Sequence, residues 1–293
     1  MRRSKMEPAM WSKCKRVLLV VAFATLTPLG ERPAGAAENA VVPRETIRLF
    51  NGTNLAGFHT WLMDTRRSDP RGVFTVTNAM IRISGEGVGY LATEREYTDY
   101  HLVAEFKWGR TNWHWGDRVG KARDSGVFLH ATGPDGNSHD GGGAFMAAIE
   151  CQVMQGAVGD VLLIRGAAAD GSLIAPRVTV EAAPKQDADG WWTWQAGGRQ
   201  QTVTRWGRVN WSGKSRGWKD RLDFRGPRDV ESARDEWTRL ECVCDGGRIQ
   251  VKVNGTLVNE ALEVFPSRGK ILLQCEGSEV FYRRLELRPL PRR

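Results

Sequence analysis

"AAIECQVMQGAVGDVLLI", residues 147–164, reads as two β-strands joined by a turn that carries Gly156 and Gly159. Strands this apolar bury one or both faces. Side chains alternate along a strand. Ile149, Cys151 and Val153 therefore share one face, and Ala148, Glu150 and Gln152 share the other. The Ile149 face is a core face. The Glu150 face borders solvent or a cleft, with a carboxylate at its centre.

The same alternation recurs along the chain. "GVFTVTNAMIRIS" (72–84), "YHLVAEFKW" (100–108) and "SGVFLHA" (125–131) come before the opening stretch. "WTRLECVC" (237–244), "GRIQVKVNGTLV" (247–258), "KILLQCE" (270–276) and "EVFYRRLELRPL" (279–290) come after it. Turn signals separate them, among them Gly133-Pro134, Asp245-Gly246-Gly247 and Asn254-Gly255. No long stretch keeps a helical period. The pattern predicts an all-β fold: a two-sheet antiparallel β-sandwich, or jelly roll. Residues 165–235, rich in Gly, Arg and Trp, predict long loops with a short hairpin or two over one end of the sandwich.

The N-terminus has its own logic. A basic segment ends at Arg16, an apolar run extends from Val17 to about Leu29, and Ala34-Gly35-Ala36 forms a small-x-small site. This predicts a signal peptide over 1–36, because the apolar run is too short to span a bilayer. The expected product is a secreted or periplasmic domain over 37–293, with no stable membrane insertion. Residues 1–36 hold seven basic and two acidic side chains, so the remainder carries 35 and 32, and the net charge drops from +8 to +3. Nucleic acid loses its electrostatic case as a partner. Cys151, Cys242, Cys244 and Cys275 have no CxxC spacing; they predict buried thiols, or one disulfide in an oxidising compartment.

Three strands offer polar groups. Alternation puts Gly126, Phe128 and His130 on one face of "SGVFLHA", and Leu272, Gln274 and Glu276 on one face of "ILLQCE". With Glu150 and Gln152 these would line a site if the strands are neighbours. Tryptophans cluster in "WGRTNWHW" (108–115), in "WWTW" (191–194) and at 206, 211 and 218. A Trp face offers an apolar plane to sugar C–H bonds and an N–H to a hydroxyl. Trp113 and Trp115, flanked by Arg123 and Asp124, are expected to rim such a site.

Several stretches together resemble the 3-keto-disaccharide hydrolase family, also described as 3-keto-glucoside lyase/hydratase domains. They are "LFNGTNLAGF", "GYLATEREYTDYHLVAEFKW", "DSGVFLHATG", "IECQVMQGAVGD", "DEWTRLECVCDGGRIQVKVNGTLVNEA" and "GKILLQCEGSEVFYRRLELRPL". The resemblance covers roughly 46–290 and implies a secreted, concanavalin-like sandwich acting on oxidised glycosides. In a 3-keto-glycoside the ketone acidifies the C2 hydrogen; a base removes it, the C1 substituent leaves, and water adds back. That route needs a base, an electrophile on the C3 oxygen and a proton donor. On this reading Glu150 is base or metal ligand, and His130 and Glu276 are ligands or proton carriers. Gln152, Gln274, Asp124, Trp113, Trp115 and Arg123 bind the substrate. A divalent metal on His130, Glu150 and Glu276 is one source of the electrophile; no other cofactor is called for. Many relatives carry His where Glu276 stands. A non-catalytic carbohydrate-binding module, a structural sandwich and a conventional glycosidase are the alternatives.

Overall fold

The alternating segments pair as strands in a computed structural model that describes residues 39–113, 118–204 and 207–291. The segment 1–36, read from the sequence as a signal peptide, lies outside the described residues. Among the described residues there is no α-helix, and no helix long and apolar enough to cross a membrane.

Two large sheets face each other. The eight-stranded sheet runs, in spatial order, Trp192–Thr193, Gly207–Asn210, Val161–Ile164, Ala147–Met154, Asp124–Thr132, Lys270–Glu276, Val88–Thr93 and Phe58–Leu62. Its pairings are antiparallel except Trp192–Thr193 beside Val209–Asn210. The ten-stranded sheet is centred on Thr238–Asp245, Tyr100–Asn112 and Ser278–Pro289. The fold is the expected all-β sandwich.

The core fills the space between the sheets. Val127, Leu129, Ile149, Cys151, Val153, Leu273 and Cys275 project from the smaller sheet, and Leu102, Phe106, Leu240, Cys242, Val251 and Tyr282 belong to the same buried cluster. Each such side chain contributes about 1.5–3 kcal/mol by leaving water. The four cysteines are free and buried. The Cys242 thiol is pushed up by its contact with Cys151 and by burial.

The region 165–235 is more ordered than its composition implied. Arg177–Ala182 and Arg199–Thr204 form a hairpin that extends the larger sheet, and Gly207–Asn210 extends the smaller one. From Trp211 to Trp237 the chain makes turns and bends with no strand. Trp194 and Trp211, placed by composition in sugar-binding loops, are buried in the main core.

The outer face of the smaller sheet has another, smaller apolar cluster. Tyr90, Ala92, Phe128, Phe145, Ala148, Ile164 and Leu272 are among its members. The loop 133–146 closes over this face. Its Asp135 takes hydrogen bonds from the Tyr90 hydroxyl at 3.0 Å and from Arg67 Nε at 2.8 Å, and its carboxylate lies 2.9 Å from His59 Nε2.

Candidate active site

Sheet order places the polar strands side by side. Ala147–Met154 pairs with Asp124–Thr132, which pairs with Lys270–Glu276. Outward-facing positions of these three strands surround a cavity of about 220 Å³ whose lining includes Asp124, Glu150, Gln152, Gln274 and Glu276. The loop supplies a wall through Asp140, Gly141 and Phe145, and Leu162 and Ile164 close the other side.

Gly126 leaves the room at the centre. A Cβ there would collide with Glu150 Oε1 and stand 3.1 Å from Gln274 Oε1. The Phe128 ring, with Cε1 at 3.0 Å, would have to give by a few tenths of an ångström, and the Glu150 carboxylate would have to move, so Gly126→Ala is expected to fold with a small loss of Tm and to displace the carboxylate. Misplacing a catalytic group by about 1 Å costs about 10²-fold in rate. The check is kcat/KM beside Tm: loss of activity at near-normal Tm is the expected pair.

The cavity holds uncompensated polar atoms. Asp124 Oδ1, Glu150 Oε1 and Gln274 Oε1 are buried side-chain acceptors with no hydrogen-bond partner among the described residues. Buried polar groups are rarely left so, and their clustering marks a place prepared for a ligand's donors. Gln274 turns its amide to Glu276, donating from Nε2 to Oε2 at 2.8 Å. Gln152 is buried, and its Oε1 accepts from the Val153 amide at 3.1 Å.

Electrostatics separate the carboxylates. Burial pushes Glu150 well above the ordinary glutamate range; the charge of Glu276 pushes it further, and Arg208 pulls it back. Burial likewise raises Asp124, aided by Glu276 and Glu150 and opposed by Arg118, whose Nη2 is 3.3 Å from Asp124 Oδ2. Asp140 behaves differently. Burial pushes it up, but hydrogen bonds from Arg165 win and hold it below the usual carboxylate range. It is a structural wall, not a proton carrier.

Two residues that the sequence did not mark complete the site. Arg208 reaches it through sheet pairing: Glu150 pairs with Leu162, which pairs with Arg208. Arg208 Nε donates to Asp160 Oδ2 at 2.7 Å, as does Lys214 Nζ at 2.6 Å. Asp160 Oδ1 accepts from the Trp211 amide at 2.7 Å. This fully buried carboxylate anchors the cation whose field lowers the Glu150 pKa.

Four expectations are corrected. His130 does not join the carboxylates. Its strand carries a bulge between Leu129 and Thr132, and His130 has φ 55°. The extra residue reverses the alternation: Ala131, not His130, joins the outer cluster. The His130 ring turns inward against Tyr100, with Nδ1 2.9 Å from Pro266 O, and burial drops its pKa to about 4. The ligand set His130, Glu150 and Glu276 is thus not assembled, and among the described residues no group of three or more His, Cys, Asp or Glu is placed to hold a metal. Arg123 is also turned away, its Nη1 2.6 Å from Asp223 Oδ1. Trp113 lines a neighbouring cavity rather than the carboxylate one. Trp115 lies outside the described residues.

No curated protein sequence matches the chain. Solved structures do. A candidate glycosyl hydrolase from Parabacteroides distasonis is 15% identical, with 84% of this chain and 94% of that one covered and a TM-score of 0.46. A carbohydrate-binding module from Bacillus subtilis is 10% identical over 78% and 94% of the two chains, TM-score 0.42. The β-glucanase of Bacillus licheniformis is 11% identical over 84% and 99%, TM-score 0.42. The model of the 3-keto-α-glucoside-1,2-lyase-like domain matches residues 45–288. The chain belongs to this 3-keto-α-glucoside-1,2-lyase-like domain family.

Proposed function

We propose that the protein cleaves the glycosidic bond of 3-keto-glycosides, after export, by removing the C2 proton and expelling the C1 substituent. One observation carries this reading: three strand carboxylates, Asp124, Glu150 and Glu276, and two amides converge on a small cavity where Asp124 Oδ1, Glu150 Oε1 and Gln274 Oε1 lack hydrogen-bond partners among the described residues. A sugar ring supplies hydroxyl donors for such acceptors. The volume, below the roughly 300–1,000 Å³ of larger ligand pockets, suits a single ring.

Glu150 takes the C2 proton. Its desolvation makes it a stronger base than a surface glutamate once ionised. The electrons left on C2 delocalise into the C3 carbonyl as an enediolate. Asp124, kept neutral by burial and neighbouring charge, donates a hydrogen bond to the C3 oxygen, as raised-pKa carboxylic acids do in other proton-abstracting sites. The enediolate collapses, the C1–O bond breaks, and a C1=C2 double bond forms. Glu276 relays a proton from solvent to the departing oxygen. Water added across that double bond completes a net hydrolysis. Gln152 and Gln274 hold hydroxyls, and Arg208 stabilises the anionic stage. Every step uses side chains of this chain, and none is routed through a metal.

The test compares aglycone release from a 3-keto-glucoside and from the same glucoside unoxidised. Cleavage of the keto form alone is expected. Equal cleavage of both would show conventional glycosidase chemistry, and sugar binding without cleavage of either would show a binding module.

A further inference from the structure

Another cavity, of about 360 Å³, adjoins the carboxylate site; Met63, Asp64, Arg71, Glu86, Val88 and Trp113 line it. Sheet register fixes their relation. Val88 pairs directly with Glu276 and packs against the same outer-face cluster that floors the carboxylate site. The Trp113 amide donates to Gly277 O at 2.7 Å, one residue beyond Glu276. Glu276 lines the carboxylate cavity and its register partner Val88 lines the other, so a bond held at Glu276 lies one strand away from the second cavity.

The larger cavity differs in chemistry from the carboxylate one. Two of its donors, the Trp113 indole and the Arg71 guanidinium, are bonded within the protein, while the Asp64 and Glu86 carboxylates at its edge are about half exposed. Trp113 Nε1 donates to Ser84 O at 2.8 Å. Arg71 makes a two-pronged contact with Asp64, at 2.5 and 3.0 Å. The indole N–H is thus closed to a sugar hydroxyl, and the guanidinium is committed to a carboxylate. What remains is apolar surface from Met63, Val88 and the Trp113 ring. Met63 is half-exposed and, with Val88 and the Trp113 ring, presents apolar surface to the cavity. Methionine is also the side chain that best adapts to flat rings of varied shape.

We propose that this cavity is the aglycone subsite, and that it selects an apolar ring over a second sugar. The inference rests on the lyase-type reading for the direction of cleavage, but the cavity's preference is measurable without turnover. A second sugar would set hydroxyls against Met63, Val88 and the Trp113 ring, which offer them no free donor and at most a weak acceptor. An aromatic aglycone would lie on Met63, Val88 and Trp113 and lose nothing.

The test compares binding of a benzyl 3-keto-glucoside and a 3-keto-disaccharide through KM. The benzyl substrate is expected to have the lower KM by about tenfold or more, the scale of hydrophobic pocket discrimination. Met63→Gln and Trp113→Ala should erase most of that difference. Met63→Gln keeps the size and sits at the surface, so it guards against a misfolded Trp113→Ala. In parallel, saturation-transfer NMR with the unoxidised benzyl glucoside reads ring contact directly. If neither keto substrate is cleaved but the benzyl ring protons still saturate, and Met63→Gln abolishes this, the subsite stands and the reaction falls. Equal or better use of the disaccharide by the wild type would overturn the subsite, and so would equal losses on both substrates in the variants.

Discussion

Glu150→Gln is expected to lower kcat/KM on a 3-keto-glucoside by about 10²–10⁴-fold, the usual cost of losing a general base. The fold should survive. The substitution keeps volume and removes only charge from a position whose strand neighbours Ile149 and Cys151 face the core. Its effect on stability has a definite sign. The folded pKa of Glu150 is raised above its ordinary 4.5 by burial first and by Glu276 second. A raised carboxyl contributes stability below the unfolded pKa and loses it as pH rises through the folded pKa. The variant has no such loss, so its Tm should gain on the wild type as the pH rises from 4.5. The wild-type rate should move in step. Glu150 must be ionised to act, so kcat/KM climbs with pH along a limb lying well above 4.5, and Glu150→Gln lacks that limb. A rate that falls along the same limb would make Glu150 the proton donor instead.

Asp160→Ala should cost the most stability. The carboxylate is fully buried and receives Arg208 Nε, Lys214 Nζ and the Trp211 amide. Removing it leaves two buried cations without their partner. Breaking a buried pair in this way costs about 3–5 kcal/mol, a fall in Tm of roughly 10 °C for a domain of this size. Activity should fall as well, because Arg208 loses the anchor that holds it beside Glu150. Asp160→Asn keeps an acceptor for the Trp211 amide and should lose less Tm. Thermal melts of the two variants with activity measured well below Tm would show this order. Equal stability of Asp160→Ala and wild type would mean that the cluster is not a structural hub.

Much of this molecule was legible in the sequence because one period governs it. The alternation in 147–154 correctly separated Ile149, Cys151 and Val153, now in the core, from Glu150 and Gln152, now lining a cavity. The same rule placed Gln274 and Glu276. It failed at His130 for a physical reason: a bulge adds one residue to one strand only, and no alternation records it. Arg208 and Asp160 were invisible for another. Arg208 meets Glu150 through strand pairing from within 165–235, where residues rich in Gly and Arg carry little periodic signal, and Asp160, though in the opening stretch, gains its role only from Arg208, Lys214 and Trp211 far along the chain. Asp140 and Phe145 come from a loop whose position depends on the Asp135 contacts rather than on any local pattern.

The most direct measurement follows hydrogen at C2. A 3-keto-glucoside carrying deuterium at C2 is incubated with the wild-type protein, and aglycone release is timed against the undeuterated substrate. The account predicts slower release from the deuterated compound, and deuterium passing from C2 to solvent in the wild type but not in Glu150→Gln. Release at the same rate with C2 deuterium retained in the product would contradict it, because the bond to C1 would then break without the C2 proton ever being touched.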